Sequence, residues 1–215
     1  MALRASLTLL CSLSVLSSSG AQETILLNCS SGTQVFERLS ADLKMAAECG
    51  EKPPSQWSAH QRAELLNYMR NLTETLHKHQ LKECQDAEPK ECRHAEVPSN
   101  GGLVCVTVAY KRYCKPLCNS GYDFSFLRRS RLFDECSKQT GYMWNSQYIG
   151  NKLAVCNEAP IQISGESSAY FPKDQDCLTT KSNSQLSNSV IEVFTTELKS
   201  RGIPAEPQLA CLVCG

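Results

Sequence analysis

Cys92-Arg-His-Ala-Glu-Val-Pro98-Ser-Asn100-Gly101-Gly102 opens a stretch that continues through Cys118-Asn-Ser-Gly121-Tyr122 to Cys136, Gly141, Trp144 and Cys156. A segment this short cannot bury enough apolar surface to hold itself together. Spaced cysteines around one large aromatic therefore read as covalent staples about a small core, with Trp144 at the centre and Tyr122 beside it. Between the first two quoted cysteines lies Cys105-Val-Thr-Val-Ala-Tyr110-Lys-Arg-Tyr-Cys114. Its alternation reads as a strand, and its two cysteines as a Cys105–Cys114 clip.

The order of these residues resembles the sushi domain, or complement control protein module. In that family a first Cys precedes a Pro/Asn/Gly turn, a second is followed by Gly-Tyr, and a third by Gly and Trp before the fourth. The resemblance implies the pairs Cys92–Cys136 and Cys118–Cys156. It implies a β module that binds partners rather than catalysing. Cys114-Lys-Pro-Leu-Cys118-Asn-Ser-Gly-Tyr-Asp123-Phe124 is similar to sushi variants of large matrix proteins such as polydom. The flanking segments carry no such likeness.

The chain opens with Met1-Ala-Leu-Arg4, an apolar run from Leu7 to Leu16, and small residues to Ala21. That is the pattern of a secretory signal peptide over residues 1–21, too short to span a bilayer. No later segment is apolar enough to insert in a membrane, and no lipid-anchor tail is read at the C-terminus. Of the 13 cysteines, Cys11 would leave with the signal, and the even remainder suits an oxidising compartment. Asn28-Cys-Ser and Asn71-Leu-Thr are glycosylation acceptors. The formal net charge is +0, so no global field favours nucleic acid.

Residues 22–91 read as a helical segment. Phe36, Leu39, Leu43 and Ala46 form one stripe; Leu65, Met69, Leu72 and Leu76 form another, beginning at a Ser58/Gln61 capping box. A Pro-rich turn between them suggests an antiparallel hairpin, stapled by Cys49 and Cys84. The stripes read as core, or alternatively as a partner-binding groove. Residues 85–91 read as linker. In the segment 157–215, Pro160–Gly165 reads as an edge strand. A helix is expected from Ser187 to Arg201, with Val190, Val193, Phe194 and Leu198 on one side and a stop at Gly202 and Pro204. The cysteines outside the 92–156 module number three on each side: 29, 49, 84 and 177, 211, 214. Three cannot pair among themselves, so full oxidation within one chain requires a bridge between the flanks.

The expectation is thus an α+β, disulfide-rich secreted protein: a sushi-like module at 92–156 flanked by amphipathic helices. Its expected role is extracellular recognition without catalysis, metal or cofactor. The candidate contact residues are basic: Lys111, Arg112, Lys115, Arg128, Arg129 and Arg131, facing an acidic protein or a sulfated glycan. Arg128-x-x-Arg131 also fits a basic-protease cleavage site. Cys211-Leu-Val-Cys214 has the spacing of a thiol–disulfide oxidoreductase, an alternative function, though no helix follows to lower a thiol pKa. A second alternative is a helical signalling ligand acting through the N-terminal hairpin.

Overall fold

The computed structural model describes residues 32–49, 55–84, 87–203 and 206–215. Asn28, Cys29 and the signal-like segment lie outside them. Among the described residues the fold mixes helix and sheet, and five disulfides cross-link it. No helix among the described residues is long and apolar enough to cross a membrane.

The chain divides into two compact units, Met1–Arg62 and Ala63–Gly215. In the first, α1 (Gly32–Glu48) contains no buried residue, and its Phe36 is 70% exposed. Its stripe is therefore not core. The long helix α2 (Ala59–Lys82) starts where Ser58 and Gln61 exchange backbone-to-side-chain hydrogen bonds of 2.9 and 3.1 Å. The expected Cys49–Cys84 staple does not form. Cys84 pairs with Cys211, and Cys49 is a free, exposed thiol.

The second unit is built on a four-stranded antiparallel sheet of β1 (Gly101–Val108), β2 (Lys111–Cys118), β4 (Asp134–Cys136) and β6 (Leu209–Cys214). Their order across the sheet is β4-β2-β1-β6. The expected single strand between Cys105 and Cys114 is instead a hairpin. Ala109 and Tyr110 both take positive φ, 47° and 58°, as the tightest two-residue turns require. Cys105 and Cys114 face each other across that hairpin and are bridged.

All eight residues of β1 are buried, because both faces of the sheet are covered. On one face Val104, Val106 and Val108 pack with Tyr113, Leu117 and Leu212 against Phe194 and Leu198 of α4 (Ser184–Ser200). On the other, Leu103 and Cys105 pack with Cys92, Cys114, Cys136, Leu153 and Trp144. Period two places neighbours on opposite faces, so a doubly covered strand reads as a continuous apolar run. At the start of β1 the backbones crowd: a Cβ at Gly101 would lie 2.2 Å from the Leu117 carbonyl oxygen.

Trp144 is 6% exposed and donates its indole N–H to the Arg93 carbonyl at 2.7 Å. It fills one of three core clusters. Tyr122 and Phe124 do not join it. They pack with Tyr170 over the Cys118–Cys156 bridge, beside the small sheet of β3 (Tyr122–Phe124) and β5 (Cys156–Glu158). Phe126 packs against Tyr148 with the rings tilted by 49°.

Pro160–Gly165 is not a strand. The Asp123 carboxylate captures it, accepting from Ile163 N at 3.1 Å and from Ser164 N and Oγ at 3.1 and 2.8 Å. Tyr170 Oη and Phe124 N donate to the same group. Burial works against ionising Asp123, but these donors prevail and hold its carboxyl below the ordinary 3.8. A carboxyl depressed on folding adds stability above pH 3.8 and loses it as pH falls through the lower folded value. Asp123→Asn should therefore cost about 1–3 kcal/mol at pH 6. Urea titrations should show that deficit shrinking at pH 3; a deficit independent of pH would contradict the assignment.

The C-terminal segment holds one helix more than its polar sequence suggested. Asp176 caps α3 (Cys177–Ser182) by accepting from Thr179 N at 2.7 Å, and Asn183 caps α4 through Gln185 N and Leu186 N. Gly202, at φ 76°, ends α4. The expected linker also packs: Ala87 is 4% exposed, and Glu88 accepts a hydrogen bond from Thr107 Oγ1.

Candidate functional site

Of the six basic residues expected to form a contact patch, three are inside the protein. Arg112, Lys115 and Arg128 are 3%, 1% and 3% exposed. Arg128 reaches Asp134 at 2.9 Å and the Leu153 carbonyl at 2.9 Å. Lys115 Nζ lies 2.7 and 2.6 Å from the two carboxylate oxygens of Glu197 and 2.9 Å from Ser168 Oγ. Burial pushes the Lys115 pKa below its usual value, and Glu197 opposes that shift. The other three are engaged at the surface: Lys111 with Glu135, Arg129 with the Ile163 carbonyl, and Arg131 with Asp134 and the Asn145 carbonyl. Burial takes Arg112, Lys115 and Arg128 out of the expected contact patch and leaves Lys111, Arg129 and Arg131 at the surface. The Arg128-x-x-Arg131 cleavage reading falls for the same reason, since Arg128 is not accessible.

Cys92 pairs with Cys136, Cys118 with Cys156, and Cys105 with Cys114. Cys211 and Cys214 do not pair with each other. Cys211 bonds Cys84 at the end of α2, and Cys214 bonds Cys177 at the start of α3. They are consecutive anchors along an edge strand, which removes the geometric basis for a redox pair. Among the described residues no three His, Cys, Asp or Glu side chains gather to hold a metal ion.

Within the second unit, these two anchors bring α2, α3 and β6 together. Gln80 of α2 accepts from Cys214 N at 3.2 Å and donates to the Cys214 carbonyl at 3.3 Å, extending the edge of β6 with a side chain. Lys181 of α3 spans to Gln80 at 3.1 Å and to Glu83 at 2.5 Å. Between them lies an apolar groove of about 720 Å³ lined by Thr73, Leu76, His77, Leu178, Ser182 and Gly215. It continues onto α2, which has no buried residue. Leu66 is 66% exposed, Tyr68 60%, Met69 44% and Leu76 59%. Asn71, of the Asn-Leu-Thr triplet, is exposed on the same helix.

On the other flank of α2 a second cavity, about 400 Å³, is floored by Leu103, Val213, Cys84 and Arg112. His77 and Leu81 form its wall, with Ala95 and Val97; His94 and Glu96 stand at its mouth. The sequence indicated the apolar stripe of α2. It did not indicate Gln80, Leu178 or Lys181, because only the Cys84–Cys211 and Cys177–Cys214 bridges make them neighbours. Comparison of the chain with protein families, curated proteins and solved structures finds no match.

Proposed function

We propose that this chain is a secreted, non-catalytic binding protein that docks a partner's amphipathic helix along α2 and the groove beside α3. The observation that carries this reading is the exposure of large apolar side chains along α2. A helix that supports its own fold buries its apolar stripe; one that leaves it open next to a groove is suited to helix-in-groove recognition. Lys181 and Glu83 rim the groove as an ion pair, so the partner's helix is recognised through its apolar seam rather than through a net charge.

Five bridges in one chain support an oxidising, extracellular setting. The crossed order of Cys92–Cys136 and Cys118–Cys156, with Trp144 against the first pair, supports the sushi likeness. On this reading β6 and α4 are additions to the module that present α2 to a partner.

The test uses a synthetic helical peptide with a leucine seam and a neutral polar opposite face, titrated by fluorescence anisotropy. The folded chain should bind it better than a scrambled peptide of equal composition. Leu76→Glu should weaken binding at least tenfold, by roughly 1.4 kcal/mol or more, while leaving the melting temperature nearly unchanged. Equal binding of both peptides would contradict the proposal. A concentration-dependent dimer abolished by Leu76→Glu would also contradict it, assigning the face to a second copy.

A further inference from the structure

Among the described residues, Arg112 is a buried cation without a counterion. It is 3% exposed, and among the described residues no carboxylate lies within ion-pair distance of it. Its terminal NH2 donates to the Cys84 carbonyl at 2.6 Å, while its Nε–H has no partner. Contrast the other two buried cations: Lys115 and Arg128 each hold a carboxylate. An unpaired buried charge is costly, and an orphaned buried donor adds to that cost. Burial alone pushes the Arg112 pKa below its usual value, and no neighbouring group opposes the shift. This arginine lines the floor of the 400 Å³ cavity beside α2.

We propose that this cavity is a binding site for a small organic carboxylate with an apolar body. A guanidinium offers a planar fork of N–H donors suited to a carboxylate. Apart from His77, the remaining floor and walls are apolar: Leu103, Val213, Leu81, Ala95 and Val97 with the Cys84 disulfide. A hydrated inorganic anion would leave those walls without contacts, whereas an acyl or aryl chain covers them. The volume falls within the roughly 300–1,000 Å³ typical of small-molecule pockets. Glu96 is the acidic group in the lining. It is exposed at the mouth, 4.0 Å from Lys152, where solvent screens it. His77 separates this cavity from the helix-docking groove and lines both. The site is independent of that groove, so either assignment can fail alone.

Calorimetric titration of the folded chain with sodium octanoate and with 1-octanol tests the proposal. Octanoate should bind about ten- to a hundredfold more tightly than the alcohol, the range of a hydrogen bond to a charged group. Arg112→Met should abolish that discrimination while the chain stays folded, since it removes an unpaired buried charge. Val97→Trp, which fills the cavity from its partly exposed wall, should abolish binding of both probes and keep Arg112 in place. Equal affinity for octanoate and octanol would overturn the proposal, as would unchanged octanoate binding in Val97→Trp. Displacement of octanoate by equimolar sulfate would also overturn it, by assigning the arginine to a small inorganic anion.

Discussion

Replacing Glu197 with alanine should destabilise the protein by about 3–5 kcal/mol, the usual cost of leaving one partner of a buried ion pair behind. Lys115 projects from the sheet into the interface with α4, is 1% exposed, and has both carboxylate oxygens of Glu197 within 2.7 Å. Without that carboxylate Ser168 Oγ is the hydrogen-bond partner left to the ammonium, and Glu166 acts on it through charge alone. The double change Lys115→Met with Glu197→Leu should recover most of the loss, because well-packed apolar groups often replace a buried pair without cost. The single variant should also regain stability as pH rises toward 10.5, the ordinary lysine value, where the side chain sheds its charge in both states. Urea denaturation of the three proteins measures all of this. A cost below about 1 kcal/mol for Glu197→Ala would mean that the pair behaves as an exposed one.

Removing the Cys84–Cys211 bridge by double serine substitution should cost about 3–4 kcal/mol. The two cysteines are 127 residues apart, and an isolated loop of that size would give the upper end of the disulfide range. Cys92–Cys136 and Cys177–Cys214 already shorten the path through the chain, which lowers the expected value. The effect on the proposed site should exceed the effect on the fold. Cys84 lies just beyond the end of α2, and Gln80 and Lys181 then hold that end only by hydrogen bonds and an ion pair. Amide exchange should accelerate selectively from Thr73 to Glu83 while β1 and β2 stay protected. Uniform acceleration across the sheet would contradict a local role for the bridge.

What the sequence disclosed and what it concealed follow from the range of the interactions. Local signals were legible. The Ser58/Gln61 capping box begins α2, and the spacing of Val190, Phe194 and Leu198 marks α4, because each depends on residues three or four apart. Cysteine arithmetic required a bridge between the flanks but could not choose Cys84 with Cys211. The hairpin turn was hidden because Ala109 and Tyr110 occupy positive φ without the usual Gly or Asn. The basic residues misled for a different reason. A cation looks like surface when its counter-charge is distant in sequence, as Glu197 is at 82 residues from Lys115; Asp134, six residues from Arg128, was within local reach, but nothing local shows that the pair is buried. The α2 stripe was legible as apolar, but its pattern is the same whether the face is covered or open. Gln80 and Lys181 gave no signal, since their roles exist only once β6 joins the sheet beside β1.

The central claim is that Cys211 and Cys214 are structural anchors that fix α2 and α3 along the edge strand and so form the proposed binding groove. Mass spectrometry of unreduced peptides from the native protein tests it most directly. The structure predicts Cys84 linked to Cys211 and Cys177 linked to Cys214. A Cys211–Cys214 link, or a free thiol at either position, would contradict it.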